Sequence, residues 1–294
     1  VQNDAQQRRS VPILTTTLRA LLLVLLTSSL AQAQQRPLVT EDPETIGSGL
    51  VLLEGGFDRQ WKISYPLSGL TGDLFRAPTL GISLGLSSIA EVQIDWCPYQ
   101  RLSVSEREPG PLSHILDFTG DQTTSVDDVV IGTKVRLVSE GSGRPAIGVR
   151  FATKLPNASN ESGLGTDTMD FHVSGLVGKT VESVRIVGNV GIGLLSDPIR
   201  GDQQNDVLTY GVSFARAVRQ GLEVVGEING RKSLHPSDEV PVGTENRSII
   251  RVGGRYTVST VRVDAGLLFG LTSRDPNFGL TAGVTWVFRG FNIP

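Results

Sequence analysis

Few residues in this chain are placed for covalent chemistry. The histidines, His114, His172 and His235, lie on separate segments, and no pair has the spacing that grips a metal ion. One short motif, His172-Val173-Ser174, sets an imidazole two residues from a hydroxyl, as a hydrolase does to activate a nucleophile. On a strand those two side chains share a face, and Phe171 and Val173 take the other. No asparagine is well placed to orient the base; Asn189, on the following stretch, is the best on offer. A glycine-rich phosphate loop and a dinucleotide fingerprint are both missing from the sequence. No metal, no cofactor and no enzymatic activity are therefore expected.

The charged residues carry more information. They occur singly, inside stretches where apolar side chains recur at every second position. Ile131, Val135 and Leu137 define one face, which puts Lys134 and Arg136 on the other. Ile147, Val149 and Phe151 do the same for Arg150 and Lys154. The same alternation places Glu91, Asp95, Asp170, Arg185, Glu223, Glu227, Arg251, Arg255, Arg262 and Asp264 opposite the apolar face. Arg216 is an exception, near enough to a strand end to snorkel. Such a mixed-sign face suits two purposes. It can line a polar conduit with acidic and basic walls, or it can be an ion-pair network that fills a narrow interior and makes it rigid.

These residues need strands to position them. The clearest pair is 261–271 and 278–288, two arms joined by Thr272-Ser273-Arg274-Asp275-Pro276-Asn277. In each, apolar residues alternate with glycine, threonine or charge, the period of a strand. Each arm is about ten residues, the reach of a tilted strand across a bilayer. The pattern predicts twelve strands, at 50–61, 74–86, 89–102, 129–138, 146–155, 168–179, 184–195, 207–218, 222–231, 248–256, 261–271 and 278–288. In the first, the alternation slips at Gly55-Gly56, as a bulge or a break would make it. Connections after even-numbered strands are short, and those after odd-numbered strands are mostly longer and polar, notably 103–128, 156–167, 196–206 and 232–247. A barrel in an outer membrane sorts its connections this way, with short periplasmic turns and long external loops. A soluble sandwich has no reason to do so. The expected fold is thus all-β, a transmembrane antiparallel up-and-down β-barrel of about 12 strands.

The N-terminal region fits that destination. Arg8, Arg9 and Arg19 precede an apolar run from Ala20, and Ala31-Gln32-Ala33 offers the small residues a signal peptidase reads. The expected divisions are a signal peptide at 1–33, a polar periplasmic lead-in or lumen-folded segment at 34–49, and the barrel at 50–294. The even strand count puts both termini in the periplasm. A formal net charge of -3 argues against nucleic acid as a partner. The single cysteine, Cys97, rules out an internal disulfide framework. The 34 glycines, many inside strand-like stretches, indicate a curved sheet with crowded positions. Aromatics on the apolar face, among them Phe171, Tyr210, Phe214, Tyr256, Phe278, Trp286 and Phe288, suit an interfacial girdle. The expected partners are outer-membrane lipid, the barrel-assembly machinery during biogenesis and a small-molecule solute.

Several short motifs carry a family resemblance. Lys154-Leu155-Pro156 is followed by a polar loop, Gly163-Leu164-Gly165-Thr166 and Asp170. Gly85-Leu86-Ser87-Ser88-Ile89-Ala90-Glu91-Val92 joins two strands, and Gly270-Leu271-Thr272 precedes Asp275, Phe278 and Gly279. Together these resemble the outer-membrane transporter family named for the meta-pathway of phenol degradation. Asp167 stands where that family often has a glycine, and six residues, 289–294, follow the last aromatic strand. The resemblance implies passive transport of small, aromatic or hydrophobic solutes across the bacterial outer membrane, and it supplies no catalytic residue. The alternative is a structural or adhesive barrel with a filled lumen. Outer-membrane phospholipases, also twelve-stranded, carry a His-x-Ser pair like the one at His172, and are the third reading.

Overall fold

A computed structural model describes residues 36–201, 203–236 and 238–292. The expected signal peptide lies outside these residues. The alternating stretches form strands because β-branched and aromatic side chains suit a pleated surface, and Gly, Pro, Asn and Asp between them suit turns. In chain order the strands are β1 (Leu50–Tyr65), β2 (Leu70–Gly85), β3 (Ala90–Trp96), β4 (Gln100–Arg107), β5 (Gln122–Ser125), β6 (Val130–Val138) and β7 (Ala146–Lys154). Then come β8 (Asp170–Val181), β9 (Val184–Ser196), β10 (Gln204–Arg219), β11 (Leu222–Ser233), β12 (Arg247–Val258), β13 (Val261–Gly270) and β14 (Phe278–Arg289).

Each strand pairs antiparallel with its neighbour, and β1 pairs with both β2 and β14, so the sheet closes on itself. The ring holds twelve strands: β1, β2, β3 and β6 through β14. Closure satisfies every rim of the sheet internally, which a membrane-spanning sheet requires.

The structure differs from the expected strand set in one region. The expected strand at 89–102 is broken at Cys97-Pro98-Tyr99, where Pro98 has no N–H to donate. Below the break β3 pairs with β2 and β6; above it β4 pairs with the first half of β2, and β5 pairs with β4. Part of the expected loop 103–128 is therefore a hairpin that extends the wall upward. The wall stays closed at the break through Ala77 N to Tyr99 O at 3.0 Å and Asp127 N to Cys97 O at 2.8 Å. The slip at Gly55-Gly56 is a bulge, not an end: the β1–β2 register shifts between Gly56 and Asp58, and β1 runs on to Tyr65.

Burial is inverted relative to a soluble protein. Glu91, Lys134 and Thr285 are fully buried, while Phe151, Val190 and Val212 are more than half exposed on the outer wall. Apolar side chains continue round that wall through Ile131, Phe171, Ile186, Phe214, Val252, Val263, Leu280 and Trp286. A contiguous apolar band of this extent marks a surface that meets lipid or another protein, and burying it recovers roughly 25 cal/mol per Å². The true hydrophobic clusters are small. One, Leu70, Leu74 and Leu102 with Ile63, Tyr65, Leu116, Phe118 and Leu164 against it, seats the β4–β5 hairpin over the long-loop mouth.

Candidate functional site

The inner face is built by the alternate residues of every strand, and the chain's own N-terminal segment occupies it. Residues 36–49 run inside the ring to the start of β1. Arg36 donates to Thr79 Oγ1 at 2.9 Å and Ala282 O at 2.9 Å, and faces Asp264 at 3.5 Å. The amides of Val39 and Thr40 donate to the Glu227 carboxylate at 2.9 and 2.8 Å. Asn189 holds the backbone of Glu41 from both sides, accepting its N–H at 2.6 Å and donating to its carbonyl at 2.7 Å. Ile46 N donates to Glu91 at 2.7 Å.

The segment's acids meet the bases expected on the inner wall. Glu41 lies 3.4 Å from Lys134 and 3.0 Å from Arg150. Asp42 takes both arms of Arg185, at 2.8 and 2.6 Å, a fork geometry that arginine makes well. Glu44 pairs with Arg136. Eight strands of the wall are thus tied across the lumen: β2, β3, β6, β7, β9, β11, β13 and β14. Buried charges are tolerated only when paired and hydrogen-bonded, so segment and wall depend on each other.

The other expected inner charges pair with one another. Lys134 also meets Glu91 at 3.0 Å, and both side chains are fully buried. Lys154 bridges Asp128 at 3.2 Å and Asp170 at 2.9 Å. Arg251 meets Glu227 at 2.8 Å, and Glu223 faces both Arg255 at 3.9 Å and Arg262 at 3.6 Å. Asp95 is the outlier: its side chain is 54% exposed and reaches Arg150 only at 3.8 Å.

Glycine makes room for the segment. A Cβ on Gly211 would stand 2.7 Å from Thr40 Oγ1, one on Gly148 3.2 Å from Pro43 Cβ, and one on Gly266 3.3 Å from Pro37 Cβ. A side chain at these inward positions would occupy the segment's path, so part of the glycine excess is explained by close approach rather than by wall curvature.

Two spaces remain. At the long-loop end a cavity of about 540 Å³ lies between the inner wall and the loops; Ile63, Tyr65, Leu67, Leu164, Leu195 and Val242 give it apolar surface, and Lys154, Asp170, His172, Arg231, Glu245 and Arg247 give it polar surface. No residue of the segment lines it. At the short-turn end a smaller space of about 260 Å³ runs beside Leu38, Thr40 and Asp42, against Arg185, Glu223, Arg255 and Arg262.

The sequence profile of the family described as "Putative MetA-pathway of phenol degradation" matches residues 44–288, which is nearly all of the barrel. The chain belongs to this family. In the phenol-degradation family member described here, the barrel is also similar to solved outer-membrane proteins. An outer-membrane channel from Pseudomonas putida F1 superposes with a TM-score of 0.60 at 14% identity, over 84% of this chain and 98% of that one. The translocator domain of the autotransporter NalP from Neisseria meningitidis gives 0.50 at 11% identity, over 92% and 97%. At these identities the likeness shows the fold, an outer-membrane type of barrel. None of the curated proteins matches the chain.

The sequence allowed residues 34–49 either a periplasmic lead-in or a place in the lumen; the structure shows 36–49 in the lumen, and what sequence reasoning did not name is which of its residues meet the wall. Arg36, Glu41, Asp42 and Glu44 were readable as charges, but a period-two pattern says nothing about a segment with no period. The signal that could have found them is complementarity: three acids within 41–44 face a wall whose inward bases are Lys134, Arg136, Arg150 and Arg185. Arg231 and Arg247 were also passed over, because they lie at strand ends where the alternation fades. His172 lines the outer cavity, while Asn189 is taken by the Glu41 backbone and holds the segment instead of a catalytic base.

Proposed function

We propose that this chain is an outer-membrane channel for passive passage of small solutes, closed at rest by residues 36–46. The single observation that carries the reading is the mode of closure. Residues 36–46 enter the lumen as a stretch of polypeptide held there through ion pairs and hydrogen bonds. Withdrawal of the segment leaves a polar bore lined by Lys134, Arg136, Arg150 and Arg185 on one side and Glu223 and Glu227 on another. In this reading the short-turn end and both termini face the periplasm and the long loops face outside, with lipid against the apolar band and the barrel-assembly machinery acting during insertion. The family's description favours aromatic or hydrophobic solutes.

The second reading is a structural barrel with a permanently filled lumen, favoured by the completeness of the same ion-pair network. Single-channel recording in a planar bilayer separates the two. The triple variant Glu41→Gln, Asp42→Asn, Glu44→Gln keeps the segment and removes its charge. It should conduct more often than the wild-type protein and prefer anions, because Arg136 loses its counter-charge and Lys134, Arg150 and Arg185 keep only Glu91, Asp95 and Glu140. A folded variant as silent as the wild type would decide for the structural barrel.

A further inference from the structure

The inward side chains of β11 and β12 form a ladder that changes character along its length. Glu223 pairs across to Arg255, then Glu227 to Arg251, then Asn229 to Ile249, and last Arg231 to Arg247. The first two charged rungs are complementary, and the last is a like-charge pair. Like charges directly opposite on neighbouring strands are unfavourable, and this rung sits on the wall of the outer cavity. Arg231 donates only to backbone, to Gly243 O at 2.7 Å and Glu245 O at 3.3 Å. Arg247 likewise donates to Ser64 O at 2.7 Å and Arg274 O at 2.8 Å. Among the described residues no carboxylate comes within 4.0 Å of either guanidinium, whereas each inner-wall charge named above has an ionic partner.

The acids lining the cavity have partners other than these arginines, and among the described residues Asp275 Oδ1 alone of their oxygens is buried without one. Asp170 is held by Lys154 and accepts from Ser196 N at 3.0 Å. Asp275 accepts from Ser248 N at 2.9 Å and from Thr272 Oγ1 at 2.7 Å. Glu245 accepts from Gly243 N at 3.0 Å. Two arginines anchored by backbone carbonyls, with N–H donors left over and no counter-ion, make a preorganised seat for one anion. Leu67, Leu164, Leu195 and Val242 line the same cavity. A volume of about 540 Å³ lies within the range of small-molecule sites, which are mostly apolar with a few fixed polar groups.

We propose that the outer cavity is a binding site for small organic acids, with the carboxylate bridging Arg231 and Arg247 and the apolar body against the leucines. The proposal deepens the channel reading by naming the solute class and the place where it is first held.

The test is calorimetric titration of the full mature chain in detergent micelles with benzoate, hexanoate and the neutral isostere benzamide. Both acids should bind saturably and at least about tenfold more tightly than benzamide. Arg231→Gln and Arg247→Gln should each weaken the acids about tenfold or more and leave benzamide unchanged. Leu164→Trp, which adds bulk at a lining residue outside the arginines' hydrogen-bond partners, should weaken all three ligands, and serves if a glutamine variant does not fold. Acids that bind no better than benzamide, or acid binding indifferent to these substitutions in folded protein, would overturn the proposal. Swelling, in neutral sugars, of proteoliposomes that carry the triple variant Glu41→Gln, Asp42→Asn, Glu44→Gln reports passage separately. Acid binding without swelling upholds the site and sinks the channel reading, and swelling without acid binding does the reverse.

Discussion

At the scale of single residues, Lys134 concentrates the logic of the interior. Its ammonium is fully buried between Glu91 of the neighbouring strand and Glu41 of the segment. An ion pair of this kind adds little over a well-packed apolar pair, because desolvation consumes most of the attraction; losing one partner is what costs. Lys134→Met should therefore destabilise the barrel by about 3–5 kcal/mol, leaving Glu91 buried without a cation and Glu41 with Arg150. Urea unfolding in lipid vesicles would measure it, and a loss under about 1 kcal/mol would mean that the pair is already hydrated. The inward position of Lys134 was legible from Ile131, Val135 and Leu137, because alternation alone fixes a face. Its partner Glu41 was not legible, because contacts between a strand and an irregular segment leave no periodic trace.

At the scale of elements, strands and segment differ in what fixes them. The strands are held by ladders that continue from neighbour to neighbour round the ring, so their places follow from local pattern and closure. This is why most observed strand limits lie within a few residues of those expected. The β3–β4 break departs because one proline and a change of partner are tertiary facts with a weak local sign. The segment, residues 36–46, is held by contacts that each involve a side chain, with no ladder of its own. Gly211→Val isolates it: the three nearest atoms to the added Cβ all belong to Thr40, at 2.7, 3.4 and 3.5 Å, and valine suits a strand. The substitution should free the amides of Val39 and Thr40 from Glu227 and speed their hydrogen exchange at least about tenfold, while amides of β10 stay protected. Unchanged exchange at Val39 and Thr40 would show that the segment has slack.

At the scale of the whole molecule, the exposed apolar band, the closed ring and the sorting of connection lengths agree on a membrane-spanning barrel. They were legible together because each is a pattern over the full chain. Which end faces outward is read from loop length alone and is open to a direct check. Cys97 is buried and unpaired, so it adds little background to thiol labelling. A cysteine at exposed Thr119, in the loop between β4 and β5, should react with an impermeant maleimide on intact cells. One at exposed Ser142, in the turn between β6 and β7, should react only after the outer membrane is opened. The reverse pattern would invert the orientation.

The joint between segment and wall sets the tempo of any opening. Gly49 is pinned: its N–H donates to Gly85 O at 2.8 Å and its carbonyl accepts from Gly290 N at 3.0 Å. Gly47, with φ of 97°, and Ser48 are all that separate this anchor from the inserted residues. A blocker on so short a leash is present at its own receptor at an effective concentration in the millimolar range or above. Reclosure is then intramolecular and independent of how many copies the membrane carries. Openings would come as brief flickers, a free peptide of the same sequence would need millimolar amounts to compete, and cells making the protein in quantity would gain little leak.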